Sequence, residues 1–159
     1  MTGKMWKALA VAALAAGVPA AAQGNGNLTT KIELEKSVPG AEGQAATKTY
    51  VAPQVVVPGG RIRVTLVFTN IGADPAAGIT LVNPIPQGLA FDGTANPEYF
   101  GVSIDGGKTF GALDALTVAA AGAAPRSATA THVTHVRWQW PDAIASEQSR
   151  SVAFFGRVR

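Results

Sequence analysis

Apolar and polar positions alternate along most of this chain, and glycine and proline cut the alternation into short runs. The clearest run covers residues 61–69. Ile62, Val64, Leu66 and Phe68 fall on one face of an extended chain, and Arg61, Arg63, Thr65, Val67 and Thr69 fall on the other. A strand so patterned buries one face. Residues 28–36 read the same way, with Ile32 and Leu34 alternating against Glu33 and Glu35. Further strands are predicted over 50–57, where Pro53 holds the run at an edge or breaks it, over 78–83 with Ile79 and Leu81 inward, and over 89–92. Others are predicted over 113–118, over 131–140 with Val136, Trp138 and Trp140 on one face, and over 151–159 with Val152, Phe154 and Val158 on one face.

The punctuation has its own chemistry. Residues 37–47 carry Pro39, Gly40 and Gly43 and read as a loop, and Pro58-Gly59-Gly60 as a turn. Asn70, Gly72, Asp74 and Pro75 make a corner. Pro84 and Pro86 remove ladder donors, so the strand before them must end or leave its sheet. Residues 99–108 form a hairpin arm and turn, because Asp105-Gly106-Gly107 supplies the positive φ that tight turns need. Residues 119–130 are alanine-rich with Gly122 and Pro125 and lack an amphipathic stripe, so they are read as a loop. No amphipathic helix separates the strands, which excludes an alternating α/β layout. The expected fold is therefore all-β, an antiparallel sandwich of about 7–9 strands in two sheets.

The N-terminus departs from this pattern. Lys4 and Lys7 precede an apolar run from residue 8 to residue 18, Pro19 ends it, and Ala20-Ala21-Ala22 offers a small-residue cleavage site before Gln23. Residues 1–22 are read as a secretory signal peptide and residues 23–159 as one domain. The apolar run is too short to span a bilayer, which takes about 20 residues, so no membrane span is expected in the mature chain. The expected location is secreted, periplasmic or cell-surface. The absence of cysteine suits an oxidising compartment and excludes disulfides and thiolate chemistry.

Charge changes the picture once the leader is set aside. The whole chain carries 13 basic and 10 acidic residues, but Lys4 and Lys7 belong to the leader, and the remainder is close to neutral. A near-neutral domain lacks the concentrated positive field that phosphate binding needs, so no nucleic-acid partner is expected. Arg61/Arg63 and Arg157/Arg159 sit at strand alternation and read as solvated faces.

Candidate chemistry is sparse. His132 and His135 stand three apart, which on a strand sends them to opposite faces and prevents a shared metal. The stretch Asp92-Gly93-Thr94-Ala95-Asn96-Pro97-Glu98 gathers oxygen-bearing side chains of the kind calcium takes, although turn chemistry explains the same residues without an ion. Trp138 and Trp140 share a face with Asp142 nearby. They are either core residues or an exposed sugar-stacking platform. No serine elbow and no phosphate loop ahead of a helix occur in the sequence. Lys31, Lys36, Lys48 and Lys108 lie on no evident core face, which argues against an intramolecular isopeptide bond of the kind found in surface sandwiches.

Two blocks carry a resemblance to a known family. Residues 57–72, Val-Pro-Gly-Gly-Arg-Ile-Arg-Val-Thr-Leu-Val-Phe-Thr-Asn-Ile-Gly, join a proline–glycine turn to an alternating strand and an asparagine-x-glycine corner. Residues 78–91 place Asn83, Pro84, Pro86 and Gly88 before an apolar strand. Together with the closing segments around Thr134–Trp138 and Ser151–Phe154, these blocks resemble the DUF11 domain over residues 28–159. Asn83 stands where that family usually has aspartate. The resemblance implies an immunoglobulin-like sandwich exported to prokaryotic cell surfaces, often repeated in adhesins or wall proteins and here present once. It brings no catalytic residues.

The expected function is that of an exported, non-catalytic structural or adhesive domain whose partners are proteins, or copies of itself, at the cell surface. Residues 23–36 are a candidate arm for pairing with a neighbour's sheet edge, against the reading that 28–36 pairs internally. The alternative is a carbohydrate-binding module or small hydrolase that presents Trp138, Trp140 and Asp142 to a glycan. No cofactor and no metal are expected.

Overall fold

The computed structural model describes residues 26–54, 57–120 and 122–159. The signal peptide expected from the sequence, residues 1–22, lies outside the described residues, as do Val55 and Val56 from the predicted second strand. The strands are β1 (Gly26–Val38), β2 (Thr47–Val51), β3 (Arg61–Asn70), β4 (Thr80–Pro84), β5 (Leu89–Thr94), β6 (Phe100–Ser103), β7 (Thr117–Ala120), β8 (Ala123–Ser127), β9 (His135–Gln139) and β10 (Ser149–Val158). Every pairing between them is antiparallel. One sheet has the order β2-β1-β3-β10-β5, a second has β4-β9-β6, and β7-β8 is a separate hairpin. Among the described residues no helix is long and apolar enough to cross a membrane.

The two larger sheets close on one interior. Ile62, Val64, Leu66 and Phe68 of β3, Phe91 of β5, and Val152 and Phe154 of β10 meet Leu81 of β4, Val102 of β6, and Val136 and Trp138 of β9. This is the sandwich that the alternation predicts. Each fully buried large side chain contributes roughly 1.5–3 kcal/mol of transfer free energy, so the interior outweighs any single surface contact. β3 is bonded on both sides, to β1 over residues 62–70 and to β10 over residues 61–69.

The prolines act where expected. β4 ends at Pro84, the Ile85 N–H donates to the Thr134 carbonyl, and the chain crosses to the other sheet to begin β5. The asparagine-x-glycine corner is an internal clamp. The buried Asn70 side chain donates to the carbonyls of Asp74 (2.8 Å) and Ile144 (2.9 Å) and accepts from the Gly72 N–H (3.0 Å). At the Asp105-Gly106-Gly107 turn, Gly106 and Gly107 take φ values of 80° and 85°, and Val102 is bridged to Gly111.

Four elements differ from the sequence expectation. Residues 119–130 were expected as a loop, yet they hold most of the β7–β8 hairpin, which turns at Gly122 with φ 73°. Alanine carries no periodic signal, and backbone pairing supplies the order instead. The predicted strand over 113–118 begins as a 3-10 turn, Leu113–Ala115, and only then becomes β7. The predicted strand over 131–140 starts later, at His135, because residues 130–132 form a 3-10 turn capped by Thr129. The second strand is displaced towards the N-terminus, to Thr47–Val51, ending before Pro53.

Asn70→Ala removes three hydrogen bonds and leaves the N–H of the buried Gly72 without its acceptor. We expect a loss on the order of 2–3 kcal/mol in urea unfolding, and a change below about 0.5 kcal/mol would contradict the clamp.

Candidate functional site

The structure places the predicted Trp138–Trp140 face inside the protein. Trp138 is 0% exposed and Trp140 is 3% exposed. The Trp138 indole N–H donates to the Asn96 carbonyl at 2.8 Å, and its ring lies 5.0 Å from Phe100 at a tilt. A guanidinium covers Trp140, with the Arg150 carbon 5.1 Å from the ring centroid. Asp142 is exposed and reaches Arg150 at 4.0 Å. The two indoles therefore serve the core reading, and neither offers a free ring face for a sugar. Their burial area drives them inward, and the indole N–H of Trp138 finds its partner there.

A shallow depression adjoins this region on the surface. It encloses about 520 Å³ and is lined by Tyr99, Phe100, Gly101, Arg137, Gln139 and Trp140, among others. Tyr99 is 52% exposed and holds φ 56°, a left-handed conformation that costs a bulky residue free energy. Arg137 lies over the Phe110 ring at 4.5 Å. The floor between Phe100 and Ala112 includes Gly101 and Gly111, which add no side chains. An exposed phenol beside a guanidinium and an amide is chemistry suited to hydroxyl-rich ligands. Tyr99 was not a sequence candidate. Its exposure follows from the left-handed turn just before β6, which the sequence does not signal, whereas Phe100 on the strand packs against Trp138.

The densest chemistry lies on the outer face of the five-stranded sheet, where the sequence suggested only solvated arginines. Glu33 on β1 is 6% exposed and accepts from Arg63 at 2.6 Å, with Lys31 at 2.8 Å. Glu35 accepts from Arg61 at 2.9 Å, Lys48 at 3.1 Å and the Tyr50 hydroxyl at 3.2 Å. Arg63 lies 3.5 Å from the Tyr50 ring centroid and Arg61 3.9 Å from that of Phe155. Arg61 and Arg157 stand directly opposite across β3 and β10, which alone would repel. One Asp92 carboxylate oxygen bridges them, at 2.7 Å from Arg61 and 3.0 Å from Arg157. Arg159, the last of the predicted solvated arginines, donates to the Thr131 carbonyl at 3.4 Å.

These contacts fix the carboxylates in their charged form. Hydrogen bonds from Lys31 and Arg63 hold Glu33 below its ordinary value. Burial works against Glu35, but hydrogen bonds from Lys48, Arg61 and Tyr50 outweigh it and lower that group too. Asp105 is held far below the usual range by the hydroxyl and N–H of Thr109, then by the Ser103 hydroxyl and the Lys108 N–H.

The remaining candidates are occupied in holding the backbone. Across residues 92–98 the oxygens of Asp92, Thr94 and Asn96 are each engaged by a protein partner. Asp92 faces the arginines, the Thr94 hydroxyl donates to the Ala153 carbonyl, and the Asn96 amide oxygen accepts from the Ala153 N–H. Among the described residues no three of His, Asp and Glu gather at metal-binding spacing. His132 lies in a 3-10 turn and not on the predicted strand, with Nδ1 against Thr129 at 3.0 Å, whereas His135 begins β9. Lys31 and Lys48 are exposed and engaged by glutamates.

A carboxylate whose pKa is depressed by folding stabilises the fold fully above its unfolded value and loses that contribution as pH falls through its folded value. Unfolding midpoints in urea should therefore fall as the pH drops below the ordinary glutamate value of 4.5. The double variant Glu33→Gln with Glu35→Gln should be less stable at neutral pH and show a shallower acid slope. Parallel slopes for the variant and the wild type would refute the assignment. No protein-family model, curated protein or solved structure matches the chain.

Proposed function

We infer that the chain is an exported, non-catalytic structural or adhesive surface domain. The observation that carries this reading is the use to which the polar side chains are put. Glu33, Glu35, Asp92, Asp105, Asn70 and Asn96 each hold a neighbouring strand or turn, so the chemistry-bearing residues serve rigidity. The leader pattern in residues 1–22 and the DUF11 resemblance support export and a cell-surface setting. A rigid sandwich without disulfides suits a load-bearing or presenting role, and its partners are proteins or further copies of the chain. Protein recovered from outside the cytoplasm of its producing cells should begin at Gln23 by intact mass. Retention of Met1 in the cytoplasmic fraction would overturn the export reading.

A second reading has one specific observation in its favour, the depression beside Tyr99. A carbohydrate-binding role would place a sugar face on the Tyr99 ring with hydroxyls near Arg137 and Gln139. Glycan-array binding abolished by Tyr99→Gly, with thermal stability kept or raised because glycine adopts the positive φ without strain, is the expected result of that role. Absence of any glycan signal from the wild type would retire it.

A further inference from the structure

We propose that two copies of this chain join edge to edge through the N-terminal half of β1, forming a two-fold ladder centred on Thr30. The proposal rests on the self-pairing part of the functional reading and names the edge it would use. It differs from arm donation, because β1 stays in its own sheet, bonded to β3 from Gly26 to Leu34.

The edge is open over a defined length. β2 pairs with β1 only from Leu34 to Val38, and among the described residues nothing pairs with the same side of β1 over residues 26–33. This stretch carries few of the usual guards against strand addition. It has no proline, its register with β3 is unbroken, and its single lysine, Lys31, stands on the outer face beside Glu33. On the inner face Leu28 and Ile32 lie opposite Phe68 and Val64, yet each remains 49% exposed. They point to the side on which the three-stranded sheet sits, and that sheet leaves them half uncovered.

Pairing rules select the register. A two-fold axis perpendicular to the sheet joins like faces, so each residue must meet one of the same parity. Centring on Lys31 would oppose two lysines directly. Centring on Thr29 would set Leu28 against Thr30 and Ile32 against Gly26. Centring on Thr30 sets Leu28 against Ile32 twice on the inner face. On the outer face it sets Lys31 against Thr29 and Glu33 against Asn27, with no like charges opposed. The ladder then runs over residues 27–33 on each copy and stops where β2 begins, so β2 blocks a longer slide. The apolar pairs fall where single copies expose them, and the two five-stranded sheets become continuous.

The absence of native cysteine makes the test direct. In this register Thr30 faces its own copy within disulfide reach. Thr29 meets Lys31, and two Thr29 positions lie on a diagonal too long for a disulfide. Sedimentation velocity of the full chain as its cells accumulate it should show a concentration-dependent dimer. Under mild oxidation Thr30→Cys should cross-link at least tenfold faster than Thr29→Cys. Thr30→Lys should weaken the dimer at least tenfold with an unchanged far-UV circular dichroism spectrum. Should Thr30→Lys fail to fold, the cysteine pair decides. A wild type that stays monomeric at sub-millimolar concentration, or equal cross-linking of the two cysteine variants, overturns the proposal. A monomer that begins at Gln23 outside the cytoplasm would defeat this edge and leave the export reading standing, whereas a cytoplasmic dimer would do the reverse.

Discussion

Strict side-chain alternation along β3 is the constraint on which the rest of the molecule depends. This strand is bonded to β1 on one side and β10 on the other, so its register governs three strands at once. A slip by one residue would send Ile62, Val64, Leu66 and Phe68 to the outside and drive Arg61 and Arg63 into the interior. Burying two guanidinium groups away from their carboxylates is prohibitive. The strand thus has a single tolerable register, and both faces enforce it.

The two faces solve different problems. The inner face is apolar and closes against Val136 and Trp138 of the opposing sheet. The outer face is a charge lattice in which acceptors and cations interleave across β1, β2, β3, β5 and β10. Isolated surface ion pairs add little, about 0–1 kcal/mol each. Here aromatic rings lie against two of the guanidinium groups and shared carboxylates link several strands, so the network ties elements that are distant in sequence. Asp92 is the clearest example. It comes from the strand on the far side of β10 and neutralises an arginine pair that the β3–β10 register forces together.

Unequal sheets leave a consequence at the margin. Five strands face three, so the apolar side chains of the outermost strands receive partial cover. Leu28 and Ile32 express this mismatch, as does the small apolar groove of about 280 Å³ lined by Ile32, Pro53, Ile62 and Leu89. Sandwich proteins blunt such edges or use them. The opposite margin, near β6, carries a different surface, built on Tyr99 and Arg137. The two regions are chemically distinct, one a backbone edge with aliphatic pairs and the other a shallow polar–aromatic depression.

Much of the architecture was legible in the residues. Period-two runs located β1, β3, β4 and β10, and Pro84 marked where the chain leaves one sheet for the other, because these signals are local properties of backbone and side-chain direction. The β7–β8 hairpin was not legible, since alanine has no face to alternate and only backbone pairing orders it. The interior position of Trp138 and Trp140 stood as one of two readings, and packing against Phe100 and cover by Arg150 decided it. The sequence by itself determined the fold class, the core stripe of β3 and the corner at Asn70. Only the tertiary structure decided that Arg61, Arg63 and Arg157 form an ion-pair lattice, that Tyr99 is exposed, and that β1 has no second partner over residues 26–33 among the described residues. These depend on which strands become neighbours, and neighbours far apart in sequence are set by the closing of the sheets.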